Sequence, residues 1–294
     1  MGYGRIRLHP RVLIASAGLL LSLVVPIQAG DTWSWLYGGE EADHFNAVTA
    51  THDGGFVVSG EAHPFNDSHR CAWLVRMTGE GRPVEQLLLG ESGVDVSMVG
   101  ALEGQDGSLF LFANVMVSDW HTSGWGRILR MTEEGDILNQ WSIGNLAGWS
   151  VVSSACLTAD GGCLAVGRIY YEQPLAPDIW FMKIGGDGRK EWARTFQLAE
   201  GWSPALTVHD VCETNDGYFI ALATASLYGG SRGTALAVDG QGDFLWAVRT
   251  SGIGILPWGD GATLIAHGTQ YGVVAADGGM TEQWITAAGS CRCR

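Results

Sequence analysis

The stretch Asp53-Gly54-Gly55-Phe56-Val57-Val58-Ser59-Gly60 decides the fold, because its Asp-Gly followed by a short apolar run returns four more times. It reappears as D-G-S-L-F-L-F from Asp106, D-G-G-C-L-A-V-G from Asp160, D-G-Y-F-I-A-L from Asp216 and D-G-A-T-L-I-A-H-G from Asp260. Successive markers are 53, 54, 56 and 44 residues apart, too regular for unrelated turns. A second marker shares the period: W-L-V-R-M-T-G-E-G from Trp73, R-I-L-R-M-T-E-E-G from Arg127, W-F-M-K-I-G-G-D-G from Trp180, T-A-L-A-V-D-G-Q-G from Thr234 and, more weakly, Y-G-V-V-A-A-D-G-G from Tyr271. A strand that usually carries tryptophan follows each: Trp141, Trp192, Trp246 and Trp284, with a further copy at Trp35.

Each unit therefore reads as four short strands. Asp-Gly and Gly-x-Gly suit tight hairpins, since glycine takes positive φ without steric cost. The β-branched and aromatic runs between them are strands, and no useful helical periodicity survives beyond the first thirty residues. A lone four-stranded sheet cannot bury both faces, so units must stack. Radial stacking of such units predicts an all-β chain, a five-bladed β-propeller of four-stranded antiparallel blades. A β-solenoid is the alternative, although its rungs are usually shorter and more uniform. The units fall near 44–90, 96–143, 150–196, 205–250 and 253–287 of a single domain over 30–290, followed by a short Cys-containing tail at 291–294. Residues 33–37 form an extra closing strand that competes with the strand around Trp284 to complete the last blade.

The pattern W-L-x-K/R-x-x-x-x-G, a tryptophan strand, G-G-x-x-x-D and D-G-G-F/Y-x-x-x-G is carried here by named residues. They are Trp73, Leu74, Arg76 and Gly81, then Gly38, Gly39 and Asp43, then Asp53, Gly54, Gly55, Phe56 and Gly60. It resembles the repeats of bacterial secreted β-propeller proteins, distantly similar to quinoprotein- and kelch-like propellers. The resemblance covers essentially everything after residue 30, is strongest in the first and third units and weakest in the fifth. It implies a propeller and says little about activity.

Residues 1–29 read as a signal peptide, with Arg5, Arg7 and Arg11 before the apolar run V-L-I-A-S-A-G-L-L-L-S-L-V-V and a small residue at Ala29. The apolar run is short for a membrane span, so a secreted or periplasmic chain is expected. The chain has 17 basic and 31 acidic residues and a net charge of −14; loss of the leader with its three arginines leaves −17. Such a surface repels phosphate backbones and anionic lipid, which argues against nucleic-acid binding. Six cysteines in an exported chain permit disulfides. Cys156 and Cys163, placed on facing strands by the Asp160 turn, are the candidate pair, with buried free thiols as the alternative.

Strand alternation puts both kinds of tight turn on one face of a propeller and the long, irregular connections on the other. Loops on a rigid scaffold are where binding residues gather. The candidate ligand-binding residues on that face are His63, Phe65, His69, Trp120, His121, Trp125, Trp149, Tyr170, Tyr171 and Trp202, with Asp43, Asp95, Asp119 and Glu172. Aromatic rings beside carboxylates suit sugars, whose apolar faces stack while hydroxyls meet acceptors. The repeating tryptophans have a different duty. Trp73, Trp141, Trp180, Trp192, Trp246 and Trp284 are expected as packing between blades, each burying ~150–250 Å², worth roughly 4–6 kcal/mol gross.

Sharper chemistry finds little support. His63, Asp67, His69 and Cys71 offer metal-ligand atoms but no established ligand spacing, so no metal and no cofactor are expected. G-G-S-R-G from Gly229 matches a nucleophile elbow without the helix that elbow requires. D-G-Q-G-D from Asp239 lacks the glycine and acid of a calcium loop. Asp43, Asp95, Asp119 and Glu172 supply carboxylates for glycoside cleavage only if two lie at a set separation. Asp43 and Asp95 occupy one repeat position, which favours a capping duty. The expectation is a non-catalytic module binding carbohydrate or an extracellular protein through its long-loop face. A polysaccharide-cleaving enzyme and a purely structural assembly module are the alternatives.

Overall fold

The structure is a computed structural model that describes residues 4–7, 38, 43–63, 69–117, 124–144, 148–171, 177–197, 205–227, 230–250, 252–258, 262–267 and 270–281. Its regular secondary structure is all β, and among the described residues there is no helix. The strands form five antiparallel sheets. Sheet 1 contains β1 (Gly4–Arg7), β2 (His44–Ala50), β3 (Phe56–Ala62), β4 (Cys71–Met77) and β5 (Pro83–Gly90) in the order β1-β5-β4-β3-β2. Sheet 2 contains β6 (Val94–Glu103), β7 (Leu109–Val117), β8 (Gly124–Met131) and β9 (Ile137–Ile143). Sheet 3 contains β10 (Gly148–Leu157), β11 (Cys163–Tyr171), β12 (Asp178–Ile184) and β13 (Lys190–Phe196). Sheet 4 contains β14 (Ala205–Glu213), β15 (Phe219–Leu227), β16 (Gly230–Val238) and β17 (Phe244–Arg249). Sheet 5 contains β18 (Gly254–Trp258), β19 (Ala262–His267), β20 (Gln270–Val274) and β21 (Met280–Thr281).

Three of the Asp-Gly turns close as hairpins in which the carboxylate caps its own loop; in the fourth the Thr214 hydroxyl bonds the Tyr218 backbone, and Asp260 lies outside the described residues. Asp53 Oδ1 accepts the Gly55 amide at 3.0 Å, Asp106 that of Ser108 at 3.1 Å and Asp160 that of Gly162 at 3.1 Å. The glycine after the aspartate sits at positive φ, +79° at Gly54 and +81° at Gly161, where a side chain would be strained. D-G-Q-G-D is a turn of the same kind, its Asp239 accepting the amides of Gln241 and Asp243. The G-G-S-R-G motif runs into strand β16, with Ser231 paired opposite Ser226.

Consecutive sheets pack face to face. Leu74 and Leu87 of sheet 1 meet Val96, Leu111 and Met131 of sheet 2. Phe110, Phe112 and Ile128 then meet Val152, Trp180 and Ile184 of sheet 3. Leu164, Phe181 and Trp192 meet Leu206, Phe219 and Leu236 of sheet 4, and Ile220 and Leu222 meet Ile255, Ile265 and Val274 of sheet 5. This explains why β12 is buried along almost its whole length while the last strand, β13, is mostly exposed: a middle strand is covered on both faces.

The first or second strand of each sheet is also joined directly to the first strand of the next. Asn46 Nδ2 donates to Met98 O at 2.8 Å, Asn114 exchanges two bonds with the Val152 backbone, Ser154 donates to Asp210, and Asp210 accepts the Ile255 amide at 3.1 Å. These bonds cluster at a bulge that recurs in β2, β6, β10 and β14, between Phe45 and Ala47, Met98 and Gly100, Val152 and Ser154, and Val208 and Asp210. The bulge explains the glycine that ends the opening motif. A Cβ on Gly60 would lie 1.9 Å from His44 O, and one on Gly167 the same distance from Val151 O.

One expectation is corrected. Cys156 pairs with Leu164 and Cys163 with Leu157; cross-strand partners share a face, so the two thiols point to opposite faces of sheet 3. No bridge forms, and Cys156 and Cys163 are free thiols. Burial pushes the Cys156 and Cys163 thiols far above the ordinary range. Gly4–Arg7, within the stretch read as a leader, lies along the outer edge of β5 as β1, where otherwise unpaired backbone groups accept an extended segment. Residues 33–37, Trp284 and the 291–294 tail lie outside the described residues.

Candidate functional site

The long connections leave from the ends of β3, β7 and β11, opposite the tight turns, whereas only residues 228 and 229 separate β15 from β16, with Leu227 opposite Gly230. At the sheet 1–sheet 2 end, Arg70 gathers two carboxylates. Its Nη1 is 2.8 Å from Glu61 Oε1 and its Nη2 is 3.4 Å from Asp95 Oδ2, while its amide donates to Asp95 Oδ1 at 2.9 Å. His69 Nδ1 stands 3.6 Å from Asp95. Burial acts to raise the Asp95 pKa, but the Arg70 amide and guanidinium outweigh it and hold the carboxyl below its ordinary value. Asp43 Oδ1 accepts the His63 amide at 3.1 Å. Both repeat-equivalent aspartates thus hold backbone amides.

A second group lies on sheet 2, where Trp125 of β8 carries the Arg127 guanidinium 5.6 Å from its ring centre and Arg127 pairs with Glu91 at 2.9 Å. A third lies on sheet 3. Trp149 of β10 and Tyr170 of β11 are cross-strand partners whose rings stack at 4.9 Å and 14°. Arg168 sits 5.8 and 5.6 Å from the two ring centres and donates to Leu206 O of sheet 4 at 2.6 Å.

Asp95, Trp125, Trp149 and Tyr170, expected in loops, therefore stand on strand ends. The pairing of β6 with β7 begins at Val94, of β10 with β11 at Gly148, and of β7 with β8 at Gly124; the ladders run further than the apolar runs suggested. Phe65, Asp119, Trp120, His121, Glu172 and Trp202 lie outside the described residues, and only the backbone of Tyr171 is described. Sequence reasoning missed Glu61, Arg70, Glu91, Arg127 and Arg168. The available signal was a lone charge within an otherwise apolar strand, which requires a partner. His69 and Cys71 do not converge as metal ligands: Cys71 is buried beside Gly90, where a Cβ would lie 2.6 Å from its Sγ, while His69 faces Asp95.

The tight-turn face holds a different set of charges. The basic residue of the second repeat marker reaches back to the turn aspartate of its own sheet, Arg130 to Asp106 at 2.7 Å and Lys183 to Asp160 at 2.7 Å. In sheet 1 the equivalent Arg76 instead pairs with Glu133 of sheet 2 at 2.6 Å. An open cleft of about 540 Å³ lies there, lined by Asp53, Arg76, Val84, Glu85, Glu133 and Glu134 among others. Among the described residues no helix is long and apolar enough to cross a membrane.

The sequence matches no protein-family model and no curated protein. Among solved structures it is similar to prolyl oligopeptidase B from Galerina marginata, at 13% identity and TM-score 0.48, over 83% of this chain and 33% of that one. It also aligns with a eukaryotic initiation factor at 8% identity and TM-score 0.20, over 86% and 91% of the two chains. The chain spans about a third of the length of the oligopeptidase.

Proposed function

We propose that this chain is an exported five-bladed β-propeller that binds carbohydrate, without catalysis, on its long-loop face. Stacking of the units is supported by the apolar layers that join each sheet to the next, from sheet 1 to sheet 5. The repeat likeness to secreted bacterial propellers supports the same arrangement.

The observation that carries the binding reading is the Trp149–Tyr170 stack braced by Arg168 at the loop end of sheet 3. Half-buried rings held in place by a guanidinium lose little side-chain entropy on meeting a ligand, and their edges and outer faces suit the apolar face of a sugar. Binding is preferred to cleavage because Glu61 and Asp95, two carboxylates of this face, share one arginine, while Asp43 holds the His63 amide and Glu91 pairs with Arg127. Arg70 holds the Asp95 carboxyl below its ordinary value, which suits an ion pair and not a proton donor to a leaving group.

Calorimetric titration against a panel of soluble plant, fungal and bacterial polysaccharides tests this reading. At least one glycan should bind, with Trp149→Ala and Tyr170→Ala each weakening it at least tenfold at an unchanged thermal midpoint. Unchanged affinity in both variants, or no binding across the panel with capture of a protein instead, would overturn the carbohydrate assignment.

A further inference from the structure

Two sheet boundaries are closed on the tight-turn face by an indole. Trp192 of β13 donates from Nε1 to Gly240 O in the outer turn of sheet 4 at 2.9 Å, and a Cβ on Gly242 would lie 2.6 Å from its ring. Trp246 of β17 does the same to sheet 5, donating to Ala276 O at 3.0 Å with its ring 2.9 Å from a Cβ on Gly278. Register identifies the equivalent residue in sheet 1. Trp192 lies opposite Lys183, Trp246 opposite Ala237 and Glu85 opposite Arg76, each just past the same irregularity in pairing.

The receiving turn is present on sheet 2. Gly135 donates to Thr132 O at 3.0 Å as Gly242 donates to Asp239 O at 3.0 Å, and Gly135 holds φ +84° against +81° at Gly242. The Glu133 carbonyl occupies the chain position of Gly240. Two other boundaries place an indole at this position and the sheet 2–sheet 3 boundary places Asn139, packed with Arg130 against the Gly188 turn; this one has Glu85 and the 540 Å³ cleft. A small neighbouring cavity shares Arg76, Glu85 and Glu133 with it and is bounded below by Leu74, Leu87 and Met131. The cleft thus combines an apolar base with a rim of Asp53, Glu85, Glu133 and Glu134 against the single cation Arg76.

We propose that this cleft is an open indole socket that takes a tryptophan side chain from a basic peptide segment of another protein. The chain itself shows how the ring would seat, on a positive-φ glycine turn with Nε1–H directed at the second turn carbonyl. The acidic rim selects lysine or arginine beside the aromatic residue, because unlike charges steer association and like charges oppose it. Arg76, tied to Glu133, offers a guanidinium at the ring's edge.

The test uses the full chain and the peptide acetyl-Lys-Lys-Trp-Lys-Lys-amide in calorimetric titration. The expected result is saturable binding, at least tenfold weaker for the peptide with Ala in place of Trp and lost for one with Glu in place of Lys. Glu85→Trp fills the socket from within and should abolish binding with an unchanged or raised thermal midpoint. Glu134→Lys, on the exposed rim, should weaken binding several-fold, and it carries the test if Glu85→Trp does not fold. Trp149→Ala on the opposite face should leave peptide binding intact, so failure here is separable from failure of the carbohydrate reading. Equal binding of the Trp and Ala peptides, no binding by the native chain, or full binding by folded Glu85→Trp would overturn the proposal.

Discussion

The boundary between sheets 3 and 4 and that between sheets 1 and 2 are built on one plan and finished differently. Both have an apolar interior, Phe181 and Leu164 against Phe219 in one, Leu74 and Leu87 against Leu111 in the other. Both present a glycine turn at positive φ on the tight-turn face. At the first, Trp192 closes the edge; at the second, Glu85 leaves it open. The charges follow suit. Lys183 is buried and bound to the aspartate of its own sheet, whereas Arg76 reaches an exposed glutamate across the gap. Once the interior apolar layer holds two sheets together, the outer filler is free to be exchanged for a space.

The most severe break in this comparison is Trp192→Ala. The side chain is buried and hydrogen-bonded, and its loss should destabilise the chain by about 3–5 kcal/mol in urea unfolding. Glu85→Ala at the equivalent position should change stability by no more than about 0.5 kcal/mol.

Next in size is Lys183→Met, expected to cost about 1–2 kcal/mol because it removes a buried cation from a half-exposed partner; Arg76→Met should cost less. The Lys183 variant also carries a pH signature. Burial works to raise the Asp160 pKa, but Lys183 and the Thr158 hydroxyl prevail and hold it below the ordinary 3.8. A depressed folded-state pKa contributes stability that is complete above the unfolded value and lost as pH falls through the folded one. Native stability should therefore drop below about pH 4 more steeply than that of Lys183→Met, as followed by tryptophan fluorescence across an acid titration.

Smaller still, Glu85→Trp should convert the open boundary to the closed kind and gain about 1 kcal/mol, a rise of about 2–4 °C in thermal midpoint. Least of all, removal of residues 1–29, whose described part is β1, takes a four-residue strand from an outer edge. It should move the midpoint by less than about 2 °C.

Much of the layout was legible because it depends on short-range chemistry. Asp53, Asp106 and Asp160 cap their own turns within two residues, so their meaning is visible in any short window. The strand tryptophans could be assigned to packing between sheets from recurrence alone, and Trp180 and Trp192 have that place. The candidate face was less legible. Its polar groups act across sheets: Arg70 joins Glu61 to Asp95, and Arg168 joins Trp149 and Tyr170 to Leu206. Apart from Tyr170, two residues from Arg168, those partners lie 9 to 38 residues away, and no local pattern announces them. The thiols of Cys156 and Cys163 illustrate a finer limit, since one residue of register reverses which face a side chain occupies.

The sequence by itself determined the strands, the turns and their period, because glycine's freedom at positive φ and the alternation of apolar residues act over a few residues. The tertiary structure alone decided which sheet edges are closed and which are open. Glu85 and Trp192 hold the same place in the repeat; only the packing of one sheet against the next shows that one fills its boundary and the other leaves a cleft.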